Sequence, residues 1–167
     1  MSNDPRQALR EGSMTSFQVV VVVICVVLNM VDGFDVLAMS FTAPLVAREW
    51  GVDPATLGVL LSAGLIGMGT GAVFISPIAD VMGRRAVVIL STVIMSIGMF
   101  ASAATSNVFE LGLCRFATGL GIGGVLASGN TLLAEYAPTR WRDFTISMMV
   151  IGYPTGAIIG GSVFAYL

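Results

Sequence analysis

Residues 17–42 read FQVVVVVICVVLNMVDGFDVLAMSFT, an almost unbroken apolar run that nevertheless contains two acids, Asp32 and Asp35. A helix needs about 20 consecutive apolar residues to span a bilayer, so this run is long enough. Charge inside the membrane is costly, and an ionisable residue there is a functional hypothesis by default. The run therefore predicts a membrane-spanning helix that carries part of a functional site.

The composition extends this reading to the whole chain. Mean hydropathy is +0.91, and 11% of the 167 residues are charged, compared with roughly 25% in soluble domains. Short polar breaks separate five apolar segments. We expect an all-α membrane protein with a tail at 1–16 and five membrane-spanning helices within 17–167, at about 17–42, 55–79, 85–105, 108–136 and 143–167.

The arginines predict the orientation of these helices. One set of breaks holds a single arginine, Arg48, whereas the N-terminal region and the other breaks hold six. Because positive residues are enriched in cytoplasmic loops, we expect a multi-pass protein of the inner (plasma) membrane with a cytoplasmic N-terminus. The six arginines on the cytoplasmic side are Arg6, Arg10, Arg84, Arg85, Arg140 and Arg142.

Several kinds of site have no support in the sequence. The chain contains no histidine and no lysine, and its net charge is -2, so we expect neither an enzyme nor a nucleic-acid-binding protein. Cys25 and Cys114 lie in apolar runs without CxxC spacing, where a thiol usually behaves as a small hydrophobe. No metal or other cofactor is expected.

Three charged residues are predicted to lie at a similar depth. Asp32 and Asp35 share one helix face. If the first helix emerges on the outside near Phe41, they lie roughly 13 and 9 Å below the outer surface, and Arg115 on the fourth segment lies roughly 12 Å below it. Desolvation and a neighbouring like charge raise the pKa of a carboxyl group, whereas an arginine lowers it. Because proton-coupled transport needs a carboxyl group that can change its protonation state, this cluster is a candidate for proton coupling. The alternatives are a static ion cluster, or a first helix that ends early and leaves Asp35 at the membrane surface.

Two further groups of residues stand out. Glycines at four-residue spacing let helices approach closely, and Pro154 is expected to kink the fifth helix; the candidate packing and hinge residues are Gly119, Gly123, Gly152, Pro154, Gly156 and Gly160. Charged residues at the cytoplasmic breaks are candidates for a salt-bridge network that closes that face, although they also serve as topology determinants. They are Asp80, Arg84, Arg85, Glu135, Arg140 and Arg142, with Gly83 forming the turn.

Four motifs resemble those of the major facilitator superfamily. Residues 80–85 resemble its signature loop, Gly-x-x-x-Asp-(Arg/Lys)-x-Gly-Arg-(Arg/Lys), although Ser76 replaces the glycine and Val81 a basic residue. Residues 115–123, 135–142 and 152–161 resemble the helix-four motif, the loop that follows it and the helix-five motif. The resemblance implies twelve helices in two halves, with the substrate site between the halves. This sequence supplies about the first five.

The segment Asp32-Gly33-Phe34-Asp35 resembles the aromatic acid:proton symporter family. That resemblance implies proton-coupled uptake of benzoate-type or hydroxybenzoate-type acids. It implies that Asp32 and Asp35 act in substrate or proton coupling and that Arg115 acts in coupling or anion attraction. It assigns gating to Asp80, Arg84 and Glu135.

The expected partners are a small aromatic carboxylate, protons, the lipid bilayer and the missing C-terminal helices. The alternatives are a transporter of another organic anion or sugar acid, and a non-transporting membrane remnant or scaffold. We expect a partial sequence or a truncated product, and we expect that 167 residues alone do not transport.

Overall fold

The computed structural model describes residues 14–166, which form five helices and no strand. The predicted tail at 1–16 lies mostly outside the described residues. Each helix contains a stretch long and apolar enough to cross a membrane, so the predicted all-α membrane architecture is confirmed. The helices are α1 (Ser16–Trp50), α2 (Pro54–Met82), α3 (Arg84–Ser102), α4 (Val108–Tyr136) and α5 (Arg142–Tyr166).

The first helix is longer than the sequence suggested. The predicted end near residue 42 is wrong, because α1 continues through Pro44 to Trp50 and stops at Gly51, whose φ of 64° is left-handed. Proline is tolerated in membrane helices, whereas a left-handed glycine ends one. Asp35 therefore lies well inside α1, which rules out an early helix end. The fifth helix likewise continues through Pro154, and a hinge there stays a prediction.

Side-chain caps fix the start of two helices. Asp53 precedes α2 and accepts from the backbone N–H of Ala55 at 3.1 Å and of Thr56 at 3.2 Å. Hydrogen bonds from the Thr56 hydroxyl and backbone hold the pKa of Asp53 below its usual range. Asn107 caps α4 by accepting from the N–H of Glu110 at 2.9 Å. These caps satisfy N–H groups that the helix itself leaves free.

Glycines bring particular helix pairs into direct backbone contact. The closest pairs are α2 with α4, α1 with α5 and α3 with α4. A Cβ atom at Gly67 would overlap the carbonyl oxygen of Phe116, and one at Gly156 would overlap that of Met30. The predicted packing role of the spaced glycines is therefore supported by the geometry, since no larger residue fits at these positions.

We predict that Gly67→Ala destabilises the protein whereas Gly69→Ala does not. Both residues lie inside α2, but a Cβ at Gly67 meets the backbone of α4, while nothing lies within 4 Å of a Cβ at Gly69. Overpacking costs about 1–3 kcal/mol, whereas Gly→Ala in an open helix position is neutral or favourable by up to about 1 kcal/mol.

The measurement is the thermal unfolding midpoint of each purified variant of the intact protein in detergent. The midpoint of Gly67→Ala should fall by several degrees, and that of Gly69→Ala should stay level or rise. Equal midpoints for the two variants would contradict the close packing of α2 on α4.

Candidate functional site

An ion pair joins the first and fourth helices inside the apolar region. Arg115 on α4 donates from Nη1 to Oδ2 of Asp35 on α1 at 2.7 Å. The side chains are largely buried, with 14% of Arg115 and 11% of Asp35 exposed. The structure thus brings together two of the three residues that the depth estimate placed at one level. A buried charge of this kind needs a partner, and each of these two residues supplies one for the other.

Asp32 has different surroundings from Asp35. It is 3% exposed, and neither carboxyl oxygen has a hydrogen-bond partner among the residues that the structure describes. The gap beside it, lined partly by Met95 on α3 and Ile122 on α4, leaves no space for a water molecule. The two acids on one helix face therefore differ, since one has a cationic partner and the other has none.

Two residues near the acids were not among the predicted site residues. Asn29 donates from Nδ2 to the carbonyl oxygen of Met149 at 3.1 Å, which links α1 to α5. Gly33 lies against the carbonyl oxygen of Tyr153, also on α5. The available signal for Asn29 was its place one helical turn before Asp32 in an apolar run. Gly33 has no glycine four residues away on α1, so the spacing rule did not find it.

Two cavities flank the ion pair, and Arg115 lines both. One, of about 220 Å³, lies between α1, α2 and α4 and is lined by Asp35 and by apolar side chains such as Met68. The other, of about 330 Å³, lies between α1, α3 and α4 and includes Thr42 and Trp50. The Nε atom of Arg115 is buried and has no hydrogen-bond partner within the described residues. Arg115 therefore has donor capacity beyond its bond to Asp35.

A metal site does not form in the part of the chain that the structure describes. Within residues 14–166, no three His, Cys, Asp or Glu side chains lie together in a group that could hold an ion. Cys25 and Cys114 are both free thiols. The charged groups on α1 and α4 are therefore the chemistry available for a site inside the apolar region.

Part of the predicted cytoplasmic network is present. Arg84 donates from Nε to Oε1 of Glu135 at 2.8 Å, and its Nη2 lies 3.5 Å from Oδ1 of Asp80. Gly83 makes the turn before Arg84 with φ 89°, as the sequence predicted. Asp80 is 70% exposed and Glu135 is 51% exposed. Exposed pairs of this kind contribute about 0–1 kcal/mol each.

Three arginines expected in this network are not part of it. Arg85, Arg140 and Arg142 are exposed, and none forms an ion pair within residues 14–166. Their side chains face solvent instead of Glu135, so the network contains one arginine and two acids. A gating role for these three residues stays a prediction.

The predicted packing residues lie where the helices approach most closely. Gly119 and Gly123 on α4 face the backbone of α2. On α5, Gly152 lies against α1, because a Cβ added at this position would be 2.9 Å from the carbonyl oxygen of Val26. Gly160, also on α5, faces the ring of Phe34.

Comparison with known proteins places this architecture in a family. The sequence profile of the Major Facilitator Superfamily matches residues 24–167. The chain belongs to the Major Facilitator Superfamily. With five apolar spans, this superfamily member is a multi-pass membrane protein.

Curated relatives in bacteria are transporters. The chain is 36% identical over 166 residues to the 4-hydroxybenzoate transporter PcaK of Acinetobacter baylyi, covering 99% of this chain and 36% of that protein. It is 36% identical over 164 residues to a gallate transporter of Pseudomonas putida, covering 98% and 36%. It is 30% identical over 166 residues to a benzoate transport protein of Acinetobacter baylyi, covering 96% and 35%. The chain therefore spans about a third of the length of these relatives.

We predict that neutralising one member of the buried ion pair is more destabilising than neutralising both. Asp35→Asn leaves the guanidinium of Arg115 buried beside no negative charge, which costs about 3–5 kcal/mol. The double variant Asp35→Asn/Arg115→Gln removes both charges and should recover much of that loss. Glu135→Gln breaks an exposed pair and should cost at most about 1 kcal/mol.

Thermal unfolding of the four purified proteins, wild type included, in the same detergent tests this order. A loss in the double variant at least as large as that of Asp35→Asn, or equal losses for Asp35→Asn and Glu135→Gln, would contradict this order.

Proposed function

We propose that the intact protein is a secondary active transporter that takes up small aromatic carboxylates together with protons. The observation that carries this proposal is Arg115, a cation inside the apolar region that is paired with Asp35 and lines two cavities. A guanidinium binds carboxylates well because its N–H groups match their two oxygens. An arginine at this depth suits the binding of a carboxylate substrate.

The relatives narrow the class of substrate. Their names specify 4-hydroxybenzoate, gallate and benzoate, each of which is one aromatic ring with a carboxylate. The cavity beside Asp35, of about 220 Å³, is below the roughly 300–1,000 Å³ of pockets for drug-sized ligands. Met39, Leu65 and Met68 give it an apolar lining. A single ring with one carboxylate fits both its size and its chemistry.

Coupling follows from the shared use of Arg115. A proton on Asp35 removes the negative charge that Arg115 pairs with, and a substrate carboxylate then takes its place. Because an unpaired buried charge is costly, binding of the proton favours binding of the anion, and linkage makes the effect reciprocal. Asp32, whose carboxyl oxygens have no hydrogen-bond partner among the described residues, is the candidate for carrying a further proton.

The remaining features fit transport by alternating access. Superfamily transporters bind substrate between two halves near the bilayer midplane, so further helices of the intact protein would form the opposite wall. We place the protein in the inner membrane, with the 1–16 tail cytoplasmic. On that side, the pair of Arg84 and Glu135 would take part in closing the cytoplasmic face. The relatives are transporters, and we propose no enzymatic activity.

A second candidate is transport of a non-aromatic organic anion. Among the described residues, the lining of the cavity beside Asp35 includes no aromatic side chain. Arg115 would bind any small carboxylate. Uptake by the intact protein separates the two candidates.

We predict that cells expressing the full-length gene accumulate radiolabelled 4-hydroxybenzoate or benzoate, and that a protonophore abolishes this accumulation. The host should lack its own uptake of aromatic acids, and an aliphatic dicarboxylate serves as the competing substrate. Accumulation that is indifferent to the protonophore, or preference for the aliphatic acid, would reject proton-coupled aromatic transport.

We predict that Asp32→Asn and Asp35→Asn each abolish proton-driven accumulation, measured per amount of protein in the membrane, while membrane insertion is unharmed. Removing a charge should ease insertion, given the roughly 2.5–3.5 kcal/mol cost of a central Asp. The matched control is Asp53→Asn, because asparagine caps a helix as well as aspartate does and Asp53 is exposed. Uptake that survives both membrane substitutions would favour a static ion cluster.

A further inference from the structure

We propose that the five helices form two rigid units that move against each other, and that the ion pair between Asp35 and Arg115 holds the units together. The first unit is α1 with α5. The second unit is α2, α3 and α4. We call the surface between them the inter-unit interface.

Backbone contacts make the first unit rigid. A Cβ at Gly33 would overlap the carbonyl oxygen of Tyr153, and one at Gly156 would overlap that of Met30. One glycine is on α1 and the other on α5, so each helix lies directly on the backbone of its partner. A sliding motion between these helices would force backbone atoms into one another, and backbone atoms have no rotamers with which to yield.

The second unit is built in the same way. Gly67 on α2 lies against the carbonyl of Phe116, and Gly119 on α4 lies against that of Gly64, so these two helices interlock from both sides. On α3, Gly98 lies against the hydroxyl of Thr118. The third helix is therefore fixed to α4 as closely as α2 is.

The inter-unit interface lacks such backbone contact. The backbone of α1 approaches those of α2 and α4 closely at few positions within residues 14–166, and α5 approaches α4 closely at few as well. Both cavities beside Arg115, and the gap beside Asp32, lie between α1 and the second unit. The interface is therefore packed less tightly than the glycine contacts within each unit.

Side chains rather than backbones close the two ends of this interface. At one end, Met39 and Ala43 of α1 pack on Leu60 and Leu111. At the other end, the buried residues are Cys25, Leu133 and Met149. Leucine and methionine side chains can repack with little loss, so these clusters permit small displacements that the glycine contacts within each unit do not.

The ion pair lies between these two clusters, with one member in each unit. Any event that neutralises Asp35 or gives Arg115 another partner removes the charge-assisted bond across the interface. Protonation of Asp35, or binding of another partner to Arg115, shifts the equilibrium between arrangements of the two units. The shift equals the difference in its free energy between those arrangements. Only this trigger rests on the proposed function; the two units and the role of the ion pair are tested without substrate.

The test measures distances between spin labels in the intact protein, with Cys25→Ala and Cys114→Ala as background. Labels on exposed residues form three pairs, each made by substitution with cysteine. Leu45 with Phe109 spans the interface, Leu45 with Val163 lies in the first unit, and Phe100 with Phe109 lies in the second.

We expect Asp35→Asn to broaden or shift the distance distribution across the interface and to leave both distributions within the units unchanged. Asp35→Asn/Arg115→Gln should do the same without leaving a buried charge, so the test does not depend on the folding of the single variant. Glu135→Gln breaks a pair inside the second unit and should change none of the three.

A distribution across the interface that stays as narrow as the other two in both Asp35 variants would overturn the proposal, because the helices would then move as one body. Equal broadening of all three pairs would overturn it too. Neither result depends on whether the protein transports an aromatic acid, so failure of this inference is distinct from failure of the proposed function.

Discussion

A charge in an apolar region must find a partner, and this constraint organises the structure around Asp35 and Arg115. Their bond, at 2.7 Å, links α1 to α4, whose backbones otherwise approach closely at few positions. It lies between two cavities that Arg115 lines. In our proposal, this one interaction connects helix packing to ligand binding, since a ligand that competes for Arg115 also removes the bond between the two helices.

The two ion pairs of Arg84 are of a different kind. Arg84 on α3 and Glu135 on α4 are partly exposed, and they join helices that Gly98 and Gly121 already hold in backbone contact. Breaking that pair changes little within the described helices. If these residues gate the cytoplasmic face, they do so through contacts with the rest of the intact protein, whereas the membrane pair acts between helices of this chain.

The sequence predicted much of this arrangement. The predicted bounds of α4 at 108–136 agree with the structure because capping at Asn107 marks its start. Depths estimated from the helical rise per residue placed Asp35 and Arg115 at a similar level in the membrane. The end of α1 was missed because the apolar run was cut near residue 42, whereas the helix tolerates the missing N–H of Pro44 and continues to Trp50. The sequence did not predict that Asp32 lacks a hydrogen-bond partner among the described residues. Counting residues gives the depth of a side chain along its helix and says little about which neighbouring helix it faces. Glycine spacing found the contacts of Gly119 and Gly156 but missed Gly33, which has no glycine four residues away on α1.

The central claim is that a proton on Asp35 makes Arg115 available to a carboxylate. Calorimetric titration of the purified intact protein with 4-hydroxybenzoate between about pH 6 and pH 8 tests it directly, because the ligand's carboxylate stays ionised throughout this range, as expected for a group with a pKa near 4. The ionisable groups described at the site are Asp32 and Asp35 on α1 and Arg115 on α4. Tyr153 lies on α5, which packs against α1. The account predicts affinity that increases as pH falls in the wild type, is high and less dependent on pH in Asp35→Asn, where only Asp32 remains to bind a proton, and is lost in Arg115→Gln. Affinity that is unchanged by Arg115→Gln, or that keeps its full pH dependence in Asp35→Asn, would contradict it.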